Sequence, residues 1–202
     1  MPSTVIRPAL VLLACLAVLT GIVYPLLITA VAEIVFPRQA RGSLIVMTGK
    51  PVGSTLIGQN FSDPRYFWGR PSATTPQPYN GVSSGGSNLG PLNPALTDSV
   101  KARIVALRAV DPRNGSPIPV DLVTASASGL DPDISIAAAQ YQMERVGRAR
   151  HMSVWEVQSL LSAHAHGRVL GVFGEPRVNV LELNLALDEH QAHRQGAVPA
   201  PR

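Results

Sequence analysis

The hydrophobic positions divide the chain into an apolar N-terminal run and a patterned remainder. Residues 8–32 carry no charged side chain and are almost entirely aliphatic, between Arg7 and Glu33. As a helix this run is about 38 Å long, whereas the hydrocarbon core of a bilayer is about 30 Å thick. The sequence therefore predicts a short tail at 1–7 and a transmembrane helix at 8–36, kinked at Pro25.

A cleaved secretory signal peptide is the alternative for the same run. Ala30-Val31-Ala32 has the A-x-A form that precedes a cleavage site, and Arg7 supplies a minimal positive region before it. The apolar part of a signal peptide is about 7–15 residues, so the length of this run favours a retained anchor. A mature chain that begins at Glu33 would exclude the anchor.

After the anchor, the apolar spacing predicts a small sheet and about three helices. Two short strands are expected at 43–47 and 54–57, separated by a Gly-Lys-Pro turn. A first helix is expected at 95–109, ended by Asp111-Pro112, because one face collects Leu92, Leu96, Val100, Ile104 and Leu107.

Capping signals mark the next two helices. Ser135 is the expected N-cap of the second, whose inner face is formed by Ile136, Ala139, Met143 and Val146. Ser153 and Glu156 form a capping box for the third, and Gly167 stands where its C-cap belongs. The apolar positions of this third helix are Val154, Val157, Leu160 and Leu161.

The C-terminal pattern predicts a strand. Between Arg177 and Leu187 apolar residues alternate, with a phase change that predicts a bend near 180–181. The polar segment 189–202 is expected to be a disordered tail. The predicted fold is a single N-terminal transmembrane helix followed by an α+β soluble domain at 37–188.

A long irregular segment interrupts that domain at about 62–94. Six prolines in this stretch exclude a long helix or a central strand. The segment also holds four aromatic residues, which disordered segments lack, so we expect an ordered loop; they are Tyr66, Phe67, Trp68 and Tyr79.

The charge and cysteine content argue against nucleic-acid binding, internal disulfides and cysteine-based zinc sites. The chain has 17 Lys and Arg against 13 Asp and Glu, and the resulting +4 belongs to the soluble domain, because only Arg7 and Glu33 precede it. The basic residues are scattered, which does not favour nucleic-acid binding. The single cysteine, Cys15, lies in the apolar run and excludes an internal disulfide or a cysteine-based zinc site.

The motifs of enzymes are weak in this chain. Gly81–Gly85 satisfies G-x-S-x-G, but its Pro- and Gly-rich flanks cannot form the strand and helix of a nucleophile elbow. His164 and His166 are two residues apart and point to different sides of a helix, so a metal site is not expected. Asp131 and Asp133 flank a proline, which favours turn capping over acid/base work. We therefore predict no catalytic residue and no metal ligand.

One glycine-rich segment can be interpreted either as an anion-binding loop or as a tight turn. Successive glycines in Ser84-Gly85-Gly86-Ser87-Asn88 can free backbone N–H groups to bind an anion, and the same residues suit a tight turn. The chain has no Walker-type phosphate loop.

Together these segments resemble the C subunit of the bacterial Kdp potassium-transporting ATPase. The resemblance covers about residues 5–188 and is carried, in chain order, by Gly42-Ser43-Leu44-Ile45, Leu56-Ile57-Gly58-Gln59-Asn60-Phe61, Gly69-Arg70-Pro71-Ser72-Ala73, Ser84-Gly85-Gly86-Ser87-Asn88-Leu89, the run from Asp121 to Asp131 and the run from Val178 to Asp188.

The resemblance implies an accessory subunit rather than an enzyme on its own. Its partners would be a channel-like potassium subunit and an ATP-hydrolysing P-type subunit in the bacterial inner membrane. Potassium would be the transported ion, and ATP would act through the complex. The family's C subunit is described as a catalytic chaperone that raises the ATP affinity of the ATP-hydrolysing subunit.

The resemblance also assigns candidate residues. Ser84–Ser87 is similar to the signature of ABC transporters, which makes Ser84, Gly85, Gly86, Ser87 and Asn88 nucleotide candidates, with Gln140 as a weaker one. Trp68 and Tyr79 are the expected partner contacts, because aromatic anchors carry interface energy.

Sidedness is predicted from the resemblance and not from charge. Arg38 and Arg41 after the span would hold the domain inside by local charge, whereas the family places it outside the cytoplasmic membrane. A domain outside cannot touch cytosolic ATP, so direct nucleotide contact conflicts with this location. The alternative function is a free-standing membrane-anchored binding protein or hydrolase.

Overall fold

The computed structural model describes residues 3–194 and 196. It divides the chain into two compact units, Met1–Val52 and Gly53–Arg202. Parts of the two predicted tails, residues 1–2, 195 and 197–202, lie outside the described residues.

The first unit is built around the apolar helix. Helices α1 (Ser3–Val18) and α2 (Tyr24–Val35) are joined without a break by a π turn, Leu19–Val23. The backbone N–H of Tyr24 donates to the carbonyl of Leu19, five residues back, just before Pro25. A widened turn at this point lets the helix accommodate a residue without an N–H, so Pro25 does not end it. The stretch Val5–Val35 is long enough to cross a membrane, and it contains an 18-residue window with a mean hydropathy of 2.6.

A short helix and a hairpin follow the apolar helix. Helix α3 covers Pro37–Ala40, and strand β1 (Leu44–Met47) pairs with β2 (Lys50–Ser54). The second strand was predicted at 54–57, which is wrong. The reversal occurs at Thr48-Gly49, where both residues have positive φ angles of 49° and 77°, as a two-residue type I′ hairpin turn requires.

The second unit combines four helices with a small antiparallel sheet, which confirms the α+β class. The helices are α4 (Pro94–Val110), α5 (Ile136–Arg150), α6 (Val154–His164) and α7 (Val180–Arg194), with a 3₁₀ turn at Val120–Leu122. Strand β5 (Arg177–Asn179) lies between β3 (Asp133–Ser135) and β4 (Ala165–His166). Val178 of the central strand faces Ile134 on one side and Ala165 on the other.

The predicted N-terminal caps are confirmed. The side chain of Ser135 accepts a hydrogen bond from the N–H of Ala138 at the start of α5. Ser153 and Glu156 form both hydrogen bonds of a capping box at the start of α6. Glu156 accepts from Ser153, which lowers the pKa of its carboxyl.

The prediction of a C-terminal strand and a disordered tail is wrong for residues 180–194. Only Arg177–Asn179 is a strand, and residues 180–194 form helix α7, so residues 189–194 of the predicted tail are helical. Val180, Leu183 and Leu187 recur at intervals of three and four residues, which is helical spacing, and their burial in the core favours the helix. Gly167 is not the C-cap of α6, because that helix ends at His164 and passes directly into β4.

The core of the second unit lies between the sheet and helices α5, α6 and α7. Its fully buried members come from every one of these elements, and include Ile134, Ala139, Val146, Val157, Leu161, Val178, Leu183 and Leu187. Phe67 joins them from the long loop and has no exposed surface. Residues 58–93, all of them described, contain no helix or strand, as the prolines predicted.

Candidate functional site

The long loop is held in place by hydrogen bonds to its carbonyl groups. In residues 63–71, here called the clamped segment, every backbone carbonyl accepts a hydrogen bond. The donors are the side chains of Trp68, Arg145, Arg150, Asn184, Gln142, Arg103 and Tyr79, and the backbone N–H groups of Tyr66 and Ser126. A segment without a sheet partner therefore has its carbonyl groups satisfied inside the domain.

Two amide side chains replace the strand partner that the clamped segment lacks. Asn184 of α7 accepts from the N–H of Phe67 at 2.8 Å and donates to its carbonyl at 3.0 Å. Gln142 of α5 does the same for Trp68, at 2.9 Å and 3.1 Å. Both amides are buried, with 1% of their surface exposed. Their donor and acceptor on one planar group match those of a peptide.

Two buried arginines complete the clamp. Arg145 donates to the carbonyls of Pro64 and Tyr66, and Arg150 donates to that of Arg65. Burial lowers the pKa of Arg145 to about 10, which leaves the guanidinium charged at neutral pH. Arg150 is balanced by Asp188, whose carboxylate lies 2.8 Å from its guanidinium. Two of the three arginines of α5 are thus internal to the domain.

Trp68 lies inside the domain. Its exposed fraction is 7%, and two guanidinium groups lie over its ring, Arg145 at 4.8 Å and Arg103 at 5.5 Å from the ring centre. Such cation–π contacts stabilise a desolvated arginine. Trp68 therefore organises the clamped segment in this structure, and a contact of Trp68 with a partner stays a prediction.

Tyr79 has a similar internal role. Its hydroxyl donates to the carbonyl of Arg70 at 2.6 Å, and burial raises the pKa of this hydroxyl to about 12. Its ring lies so close to Gly58 and Gly69 that a methyl group on either glycine would be 2.5 Å from the tyrosine. The ring and the two glycines thus fit one another, and a partner contact by Tyr79 likewise stays a prediction.

The glycine-rich loop 84–88 packs against a second loop at 126–129. The N–H of Gly85 and the hydroxyl of Ser84 both donate to the carbonyl of Ser128, at 2.9 Å and 3.0 Å. A methyl group at Gly86 would lie 2.7 Å from the carbonyl oxygen of Ala127. This close approach accounts for Gly86 without a bound anion, and the Gly85 N–H already has a partner.

Two glutamines of α5, Gln140 and Gln142, lie in different environments that the sequence alone does not distinguish. Gln140, the weaker nucleotide candidate, is exposed on α5 and far from the inner face. Gln142 shares the buried face with Ala138 and Val146, four residues away on either side. A polar residue on an otherwise apolar helical face is the signal that could have identified the clamp.

The two aspartates around Pro132 form a hydrogen bond within the turn and ion pairs with two arginines. Asp131 accepts from the N–H of Asp133 at 3.0 Å and pairs with Arg70 at 3.2 Å. Asp133 pairs with Arg177 at 2.8 Å, and burial raises the pKa of its carboxyl. These residues line a cleft of about 570 Å³. The predicted capping role is confirmed for Asp131.

The two histidines do not form a pair. His164 ends α6, with Nδ1 2.9 Å from the carbonyl of Leu160, whereas His166 lies in β4, 3.9 Å from Glu182. Among the described residues, no three His, Cys, Asp or Glu side chains are grouped to hold a metal ion.

The fold and the site define an α+β domain that follows one apolar N-terminal helix, and four buried polar side chains of this domain hold a long loop in place. A family model described as "KdpC: K+-transporting ATPase, c chain" matches residues 6–189. The chain therefore belongs to the KdpC family of potassium-transporting ATPase subunits.

Individual relatives agree with this assignment. A "Potassium-transporting ATPase KdpC subunit" of Variovorax paradoxus (strain S110) is 64% identical over 95% of this chain and 100% of its own length. Proteins of the same name from Dechloromonas aromatica (strain RCB) and Ralstonia nicotianae are 64% and 63% identical. They cover 92% and 91% of this chain, and 97% and 90% of their own lengths.

Proposed function

We propose that this chain is a non-catalytic accessory subunit of a bacterial potassium-transporting ATPase, needed for assembly and activity of the pump. The observation that carries the proposal is the family match over residues 6–189, which spans the apolar helix and the α+β domain together. The contacts of the domain support it, because the buried side chains of Gln142, Arg150 and Asn184 bind the chain's own backbone.

Deletion of the chain tests this function against the alternative of a free-standing anchored protein. Membranes that contain the other pump subunits but lack this chain should lose potassium-stimulated ATPase activity. Re-expression of the chain should restore it. A pump that stays fully active without this chain would contradict the accessory role and favour the alternative.

We place the soluble domain on the extracytoplasmic side, as the family resemblance implies. Val82 is 97% exposed and therefore suits labelling. A Val82→Cys chain should react with a membrane-impermeant maleimide in intact cells, and the unmodified chain, whose one cysteine is Cys15 in the apolar helix, measures the background. Labelling that appears only after lysis would place the domain inside.

An effect on ATP affinity would then reach the ATP-hydrolysing subunit through the assembled complex. The residues at issue are the loop Ser84–Asn88 and Gln140. Because an extracytoplasmic loop does not meet cytosolic ATP, Ser87→Ala and Gln140→Ala should leave the KM of the pump for ATP within about twofold of its normal value. A large rise in KM with unchanged assembly would instead indicate nucleotide contact at this loop.

A further inference from the structure

An exposed apolar hairpin projects from the second unit between β4 and β5. Its four large side chains, here called the apolar tip, are Val169, Leu170, Val172 and Phe173, with exposed fractions of 56%, 87%, 72% and 65%. Together they present roughly 500 Å² of apolar surface, which is in the range of the largest patch on a typical monomer. Patches of this size are often binding sites.

The hairpin holds the apolar tip in one shape. Val169 and Phe173 exchange both backbone hydrogen bonds, at 2.8 Å and 2.9 Å. Leu170 and Gly171 have φ angles of 54° and 76°, the combination of a type I′ turn. At the base, Arg168 pairs with Glu175 at 2.9 Å. A preformed tip loses little conformational freedom when it binds.

Leu170 is the unusual residue of this turn. Positive φ at the first central position of a type I′ turn favours Asn, Asp or Gly, and a bulky side chain there is an outlier. Leucine also exposes 87% of its surface to water. In the free chain neither its backbone conformation nor its exposure is favourable, so its advantage must lie in a contact that the free chain does not make.

We propose that the apolar tip inserts into an apolar pocket on another subunit of the same potassium-transporting ATPase. This inference rests on the proposed accessory function. The pattern is that of an interface centre, in which uncharged anchors lie next to polar residues at the edge, here the Arg168–Glu175 pair. A small contact suffices, because the anchor helix would keep the domain at a high effective concentration beside its partner.

The area and charge of the tip argue against two other binding partners, a second copy of this chain and a lipid surface. Two tips that covered each other fully would bury about 1,000 Å², less than the roughly 1,200 Å² of a stable interface between separate copies, whereas a subunit of the same complex is already held beside the tip. An anionic lipid surface attracts unneutralised Lys and Arg. Residues 165–176 contain no lysine, and their only arginine, Arg168, is paired with Glu175.

A variant that keeps the turn and removes the apolar surface tests the proposal. The variant carries Leu170→Asn and Phe173→Ser in the full chain and is co-expressed with the other pump subunits. The amount of those subunits that co-purifies with the variant in detergent should be at least fivefold lower than with the natural chain. The melting temperature of the purified variant chain should not fall, because Asn suits positive φ. Unchanged recovery would overturn the proposal.

The matched control uses equally exposed apolar residues outside the tip. Leu92 and Val82 are 96% and 97% exposed, so Leu92→Asn with Val82→Ser removes a similar apolar surface. This control should recover the partner subunits normally. An equal loss in the control would show that the effect is not specific to the tip and would overturn the proposal.

Photo-cross-linking identifies the occupant even if the tip variant is less stable. A photoreactive residue at Phe173, in membranes with the whole pump, should form an adduct with another pump subunit, and the same group at Leu92 should not. Adducts with lipid or a second copy alone, or no adduct, would overturn the proposal. If deletion of the chain abolishes pump activity while Phe173 gives no subunit adduct, the docking inference fails and the accessory function stands.

Discussion

Asn184 on helix α7 completes both backbone hydrogen bonds of Phe67, although the two residues are 117 positions apart. Phe67 is fully buried, so its N–H and carbonyl need partners inside the protein. The surrounding segment has prolines on either side and no neighbouring strand. A side-chain amide therefore takes the place of a strand edge, and Gln142 repeats the arrangement one residue later.

Asn184→Ala should lower the free energy of unfolding by about 1–3 kcal/mol, because it leaves two buried backbone groups without partners. The measurement is thermal or urea unfolding of the purified full chain in detergent. Gln140→Ala on the exposed side of α5 is the control and should stay within about 0.5 kcal/mol of the natural chain. Equal effects of the two changes would show that the amide clamp does not stabilise the loop.

Gly86→Ala should destabilise the chain by about 1–3 kcal/mol, because the added methyl group would meet the backbone of Ala127, which cannot rotate away. Gly85→Ala provides a control in the same loop, since nothing lies within 4 Å of the position of its methyl group. Unfolding of both variants checks the prediction. If Gly85→Ala proved the more harmful, glycine would be needed in this loop for another reason than close packing.

Tyr79→Phe should be less stable than the natural chain by about 0.5–1.5 kcal/mol at neutral pH, because the carbonyl of Arg70 loses its donor. The Tyr79 hydroxyl has a pKa of about 12 when folded, raised by burial from an ordinary value of 10.0. Between these values the folded state binds more protons than the unfolded state, so the stability contributed by Tyr79 falls as pH rises.

Unfolding of both chains at several pH values checks this dependence, because titrations common to both cancel in the difference. The difference should be constant below about pH 10 and should shrink between pH 10 and 12. A difference that stayed constant up to pH 12 would contradict a raised pKa for Tyr79.

Local signals predicted much of the fold correctly. The N-caps Ser135 and Ser153 are readable because a cap and its partner lie within three residues, and the helix ended by Asp111 is defined by its own periodicity. The segment after Arg177 was mistaken for a strand. Its buried face includes Asn184, and a polar residue there hides the helical stripe of Val180, Leu183 and Leu187.

The candidate site was predicted less well than the fold. Trp68 and Tyr79 were correctly placed in an ordered loop, but the sequence does not show that both rings face inward. Trp68 contacts the guanidinium groups of Arg145 and Arg103, and the Tyr79 hydroxyl binds the carbonyl of Arg70. None of these arginines is a close neighbour in sequence of the aromatic residue that it contacts. Aromatic composition indicates order and does not distinguish a core residue from an interface anchor.

The sequence by itself determined the apolar helix, the irregular loop, the helix caps and the family, because each depends on composition, short spacing or motif order. Only the tertiary structure decided which polar residues are internal. Gln142 and Asn184 bind backbone groups 74 and 117 positions away, and such partners exist only once helices α5 and α7 have packed beside the loop. The same packing left the apolar tip exposed, since none of the described helices and strands of the second unit covers this hairpin.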